Sequence, residues 1–141
     1  MMRTPVFLAA MLFSALAAAE PATIKMYVNP QCGCCEGHAQ YLRENGFKVT
    51  VTPTHDMPLI RKKHAISKKF EGCHIAFVEG YVVEGHVPAS AIKKLLAERP
   101  SIKGISLPGM PDGSPGMTGV KEAPFEILEI SDGPAKVFAV E

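Results

Sequence analysis

The stretch IKMYVNPQCGCCEGHAQYLRENG, residues 24–46, decides the fold. Ile24 to Val28 is a short apolar run of strand-forming residues, and Asn29-Pro30 ends it at once. From about Cys34 to Glu44 the apolar spacing changes to that of a helix, with Cys35, His38 or Ala39, and Leu42 on one face and Asn45-Gly46 as the stop. Three of the four cysteines, Cys32, Cys34 and Cys35, therefore fall at the junction of a strand and a helix.

Downstream, Phe47 to Thr52 alternates apolar with polar residues and predicts a second strand. Asp56 and Pro58 open a short second helix in which Leu59, Ile60, Lys63 and His64 fall at helical spacing. After Cys73-His74, the runs IAFV and YVV around Glu79-Gly80 predict a tight antiparallel hairpin. Pro88 suits a first helical turn, Ile92, Leu95 and Leu96 form an apolar stripe, and Pro100 ends that helix. The order β-α-β-α-β-β-α is that of an α/β, thioredoxin-like fold, with strands 1 and 2 parallel across the first helix and the hairpin at the antiparallel edge. Ser106 to Thr118 is too rich in Gly and Pro for a regular element, and 125–130 with 136–140 flank a Ser131–Pro134 turn, which predicts an appended hairpin.

Residues 1–19 read as a secretory leader: Arg3, an apolar run from Val6 to Leu16, and Ala17-Ala18-Ala19 as an A-x-A cleavage site. The run is shorter than the roughly 20 residues that span a bilayer, so the expected mature chain, 20–141, is one exported domain with no membrane segment after cleavage. The chain has 15 Lys and Arg against 14 Asp and Glu, a balance that offers no footprint for nucleic acid. An oxidising compartment favours disulfides, which changes how the cysteines are read.

Three chemistries compete for them. Cys32 and Cys35 have C-x-x-C spacing, and a thiol at a helix start has its pKa lowered by the helix dipole, as a thiol-disulfide exchanger requires. Against this, Cys34 is a third thiol able to scramble the pair, and Cys73-His74 stands before strand 3, where thioredoxin-like enzymes carry a proline. A metal site uses the same cysteines: the loop before strand 3 brings Cys73 against the helix start, so four soft thiolates converge. His38, one turn beyond Cys34 and Cys35, and His74 and His86 at element ends, are the nitrogen candidates. Such sites favour Cu(I), also as a sulfur-bridged cluster, over Zn(II), because three ligands in one turn crowd a single tetrahedral ion. Plain disulfides such as Cys32–Cys35 with Cys34–Cys73 are the third reading. His55 and His64 read as solvated, Met57 and Met26 as core or cap residues, and Met110 and Met117, which bracket PDGSPG, as either soft ligands or loop packing.

CGCC after a strand, NGF at 45–47, CH before a hairpin, EGHVP, LLAERP and GMPDGSPGM occur in that order, and with them the chain from about Ile24 to Val140 resembles the family called domain of unknown function 411, which includes periplasmic copper-resistance proteins called CopG. The resemblance implies a thioredoxin-like fold whose redox site has become a copper site, with Cys32, Cys34, Cys35 and Cys73 as ligands. It also implies a small Cu(I) cluster and interconversion of Cu(I) and Cu(II). The expected partners are copper ions and a periplasmic copper chaperone or efflux component.

Overall fold

The computed structural model describes residues 18–141, so the expected leader lies outside them apart from Ala18 and Ala19. The expected elements occur in the expected order: strand β1 (Thr23–Val28), helix α1 (Gly33–Glu44), β2 (Lys48–Pro53), α2 (Met57–Lys63), β3 (Ile75–Val78), β4 (Tyr81–Glu84) and α3 (Ala89–Glu98). A mixed α/β architecture results. In β1, Ile24, Met26 and Val28 point into the core while Thr23 and Lys25 face out. α1 buries Cys35, His38, Ala39 and Leu42 against that face, the residues that the helical spacing groups together. Leu42 is 1% exposed, and truncating such a buried leucine to alanine costs about 2–5 kcal/mol.

β2 pairs parallel with β1, as the intervening helix requires, and β1 pairs antiparallel with β3. The β3–β4 turn is Glu79-Gly80, with φ of 45° and 88°, the doubly left-handed pair that matches hairpin twist. α3 starts directly after Pro88 and ends at Arg99, whose left-handed backbone stops the helix before Pro100.

Two expectations are corrected. The β3–β4 hairpin is not the edge of the sheet, because a short strand β5 (Gly104–Ser106) follows α3 and pairs parallel with β4. Nor is the last hairpin, β6 (Glu126–Ile130) and β7 (Lys136–Val140), a separate appendage: β5 pairs with β6, and one seven-stranded sheet runs β2-β1-β3-β4-β5-β6-β7. β5 escapes notice because it has three residues and begins at Gly104, usually a weak strand former. That glycine is required here, since a Cβ would run into the Val82 carbonyl of the adjacent strand. α2 also turns differently from its apolar pattern. Leu59 is 64% exposed, and the buried positions are Met57 and Arg61. Among the described residues no helix is long and apolar enough to cross a membrane.

Candidate metal centre

At the β1–α1 junction the chain folds back on itself through Asn29. Its side-chain oxygen accepts the Gln31 amide at 2.9 Å and its carbonyl accepts the Cys32 amide at 2.9 Å. This tight turn sets Cys32 at the helix N-cap and places Cys34 and Cys35 in the first turn. Cys32 and Cys35 are joined by a disulfide, and Cys34 and Cys73 are free thiols. Cys73, from the loop before β3, lies 3.1 Å from the sulfur of Cys32 and 3.4 Å from those of Cys34 and Cys35. All four sulfurs lie within 4.8 Å of one another, so the distant fourth cysteine does close on the other three. Cys35 is fully buried, whereas Cys32 and Cys73 open onto a cleft of about 440 Å³ walled by Asn29, Gln31, Met57 and Met110.

Behind the sulfurs stand His38, His74 and His86, all with no exposed surface and with ring centroids 4.8–4.9 Å apart. Backbone carbonyls determine where their protons sit, because a carbonyl only accepts. Nε2–H of His38 donates to the Val87 carbonyl at 2.9 Å, which leaves Nδ1 as acceptor for Nε2–H of His74, also at 2.9 Å. His74 must then carry its free lone pair on Nδ1. Likewise Nδ1–H of His86 donates to the Pro115 carbonyl at 2.6 Å, which leaves the lone pair on Nε2. His74 Nδ1 and His86 Nε2 are the buried side-chain atoms without a hydrogen-bond partner among the described residues. Burying a polar atom with no partner costs on the order of 1–3 kcal/mol, so two such nitrogens side by side point to a ligand. A nitrogen of each of these histidines lies within 4.8 Å of the Cys35 and Cys73 sulfurs.

The electrostatics agree with this geometry. Burial, with His86 nearby, lowers His38 to about 3, while burial first and the neighbouring histidines and Arg61 next hold His74 well below its ordinary value. Burial lowers His86 too. All three rings are neutral at pH 7, the state in which imidazole binds metal. Burial pushes the Cys73 thiol up to about 12, with Cys34 adding to the shift and Arg61 opposing it. A cation that binds here must therefore displace a proton from Cys73.

The loop that carries Cys73 is held by an ion pair that the sequence pattern does not announce. Arg61 of α2 reaches Glu84 at the end of β4 with two contacts, Nε–Oε1 at 2.8 Å and Nη2–Oε2 at 3.1 Å. One cation of the basic run RKKH, residues 61–64, is thus buried. The available signal is Glu84 itself, an acid in a strand buried at every position, which demands a cation. The irregular 106–118 segment also serves the centre. It delivers the Pro115 carbonyl to His86, and Gly116 packs so closely on the His38 backbone that a Cβ would collide with it. His55 and His64 are exposed as expected, with His64 resting on Phe77. Met110 lines the cleft, Met117 sits half-buried in its loop, and Met57, expected as core or cap, forms part of the cleft wall.

Two solved structures of a copper resistance protein, CopG, in two forms, match the chain with a TM-score of 0.79 and 37% sequence identity. They cover 86% of this chain and 99% and 98% of their own. The chain belongs to the CopG family. The family profile described as "Protein of unknown function, DUF411" matches residues 70–117, the segment that contributes Cys73, His74, His86 and the Pro115 loop. No curated protein sequence matches the chain. Cys32, Cys34, Cys35 and His38 lie outside the profile match, at the β1–α1 junction and in α1, so the candidate site of this chain is assembled from two separate stretches.

Proposed function

We propose that the protein serves copper tolerance by binding copper, holding Cu(I) between Cys32, Cys34, Cys35 and Cys73 once the Cys32–Cys35 bridge is reduced. His74 and His86 supply nitrogen on the buried side, and His38 orients His74. The observation that carries this reading is that four sulfurs lie within 4.8 Å of one another and two of them, Cys35 and Cys73, also lie within 4.8 Å of a nitrogen of His74 and of His86, each of which has a buried nitrogen without a partner. Soft thiolates select Cu(I), and sulfur can bridge two soft ions, so a multinuclear thiolate cluster fits the crowding of three cysteines in one turn better than a single tetrahedral zinc ion does. Imidazole also accepts Cu(II), so the mixed donor set suits Cu(I)/Cu(II) exchange. The related structures are of a copper resistance protein, which agrees with copper as the cargo.

The arrangement of β1, α1 and the Cys73 loop supports a thioredoxin-like reading of the core, its redox position converted to a metal site. With residues 1–19 as a leader removed after Ala19, the domain 20–141 would act in the periplasm and pass copper to or from a chaperone or efflux component. The test is anaerobic titration of the reduced protein with Cu(I) against a moderate chelator, counting ions per chain. Retention of copper that depends on Cys73 supports the reading, and no retention overturns it.

One observation favours a second reading. Cys32 and Cys35 form a disulfide at a helix N-terminus, the placement of a thiol-disulfide oxidoreductase with Cys32 as the attacking thiol. Catalysed insulin reduction that survives Cys34→Ser and Cys73→Ser would favour it, and the two activities can share one site, since a copper ion and a cysteine disulfide can exchange electrons.

A further inference from the structure

We infer that the buried Arg61–Glu84 pair is the positioning device of this centre, holding the turn at Gly72 so that Cys73 closes on the cysteines of α1. The inference rests on the copper-binding reading above. Arg61 is 8% exposed and Glu84 is fully buried, on elements that carry none of the proposed ligands. Both partners also grip the backbone of Gly72, the residue before Cys73: Arg61 Nη2 donates to the Gly72 carbonyl at 3.1 Å, and the Gly72 amide donates to Glu84 Oε2 at 3.0 Å. On its other side Gly72 presses on Gly85, where a Cβ would collide with the Gly85 backbone, and it bridges to Gly109 of the loop that walls the cleft. The Gly85 amide in turn donates to the His74 carbonyl at 2.9 Å, so the turn is fastened before and after Cys73.

Stability alone does not explain a charge pair at this place. Buried ion pairs can often be replaced by apolar residues of similar volume with no loss of stability, because desolvation offsets much of their attraction. An apolar pair cannot hydrogen-bond both the carbonyl and the amide of Gly72. What the ions add is a fixed backbone next to Cys73, whose sulfur must stay within contact of three others.

The test replaces both ions at once, Arg61→Met with Glu84→Leu, which removes the clamp without leaving a lone buried charge. The expected result is a folded protein by circular dichroism whose Cu(I) affinity is lower by about tenfold or more, as for loss of an outer-shell partner. Introduced into a Cys73→Ser background and read against a weaker chelator, the same double replacement should cost nothing further, because the pair acts through Cys73. In the metal-free protein, amide exchange across residues 71–75 should rise while that of α1 stays unchanged. Affinity within about twofold of the native protein, or losses that multiply with Cys73→Ser, would overturn the inference. If the native protein takes up no Cu(I), the copper reading fails by itself and the exchange measurement decides: unchanged exchange across 71–75 overturns the clamp. Should the double variant not fold, Arg61→Lys, which keeps the charge and loses the fork, goes through the same cycle, and the same results support or overturn the clamp.

Discussion

The sulfur half of the site is partly open and held by loop geometry, whereas the imidazole half is sealed and held by backbone carbonyls. Cys32, Cys34 and Cys73 each keep some exposure, and Cys32 and Cys73 face a cleft. His38, His74 and His86 have none, and the carbonyls of Val87 and Pro115 fix the tautomers that leave His74 Nδ1 and His86 Nε2 bare. Soft donors near the surface can receive an ion and exchange electrons. Donors behind them, with fixed tautomers, can only accept an ion that has already entered. On the copper-binding reading proposed above, the difference assigns capture to the sulfurs and orientation to the imidazoles.

The comparison breaks most sharply at Cys73, which touches the other three sulfurs. Cys73→Ser should abolish competition for Cu(I) with a moderate chelator, measured on reduced protein, while His38→Phe should weaken binding by only about 10–100-fold. His38→Phe removes no proposed ligand. It deprives His74 Nε2–H of its acceptor and frees the ring to rotate. Equal losses from the two substitutions would erase the distinction between capture and orientation.

The two halves should also fail at opposite ends of the pH scale in the metal-free protein. The unfolded chain protonates its histidines near pH 6.5 whereas folded His38 does so only near 3. Over that window the unfolded state binds more protons, so stability falls with falling pH by about 1.4 kcal/mol per unit for each such histidine. Cys73 acts in the other sense. Its folded thiol keeps its proton up to about 12 while the unfolded one loses it from 9.0, so stability declines as pH rises through that range. Urea unfolding from about pH 4 to about pH 10 reads both limbs, and His38→Phe should make the acid limb shallower by one histidine's share while leaving the alkaline limb unchanged. A smaller effect is expected at the surface: His64→Ala should change stability by less than about 0.5 kcal/mol and leave copper uptake unchanged, since His64 is exposed and outside the cluster.

Much of this arrangement is legible in the sequence, and the parts that are not share a cause. Periodicity reveals elements long enough to repeat, so β1, α1 and the β3–β4 hairpin are legible while the three-residue β5 is not, and the sheet's continuation into β6 and β7 is lost with it. Cys32, Cys34 and Cys35 are legible because they are adjacent in sequence, and Cys73 because the strand-helix order brings its loop to them. His38, His74 and His86 are legible one by one as nitrogen candidates. That they form one hydrogen-bonded cluster is not, because two of the contacts that order it are backbone carbonyls at Val87 and Pro115, which carry no side-chain signature. Arg61 escapes for a related reason: a cation in a basic run looks solvated until the buried acid opposite it is located.

X-ray absorption at the copper edge of Cu(I)-loaded, reduced protein tests most directly whether sulfur and imidazole form one centre. The account predicts sulfur-dominated scattering with a nitrogen contribution that disappears in His74→Ala/His86→Ala. Sulfur scattering alone in the native protein, unchanged by those substitutions, would contradict it.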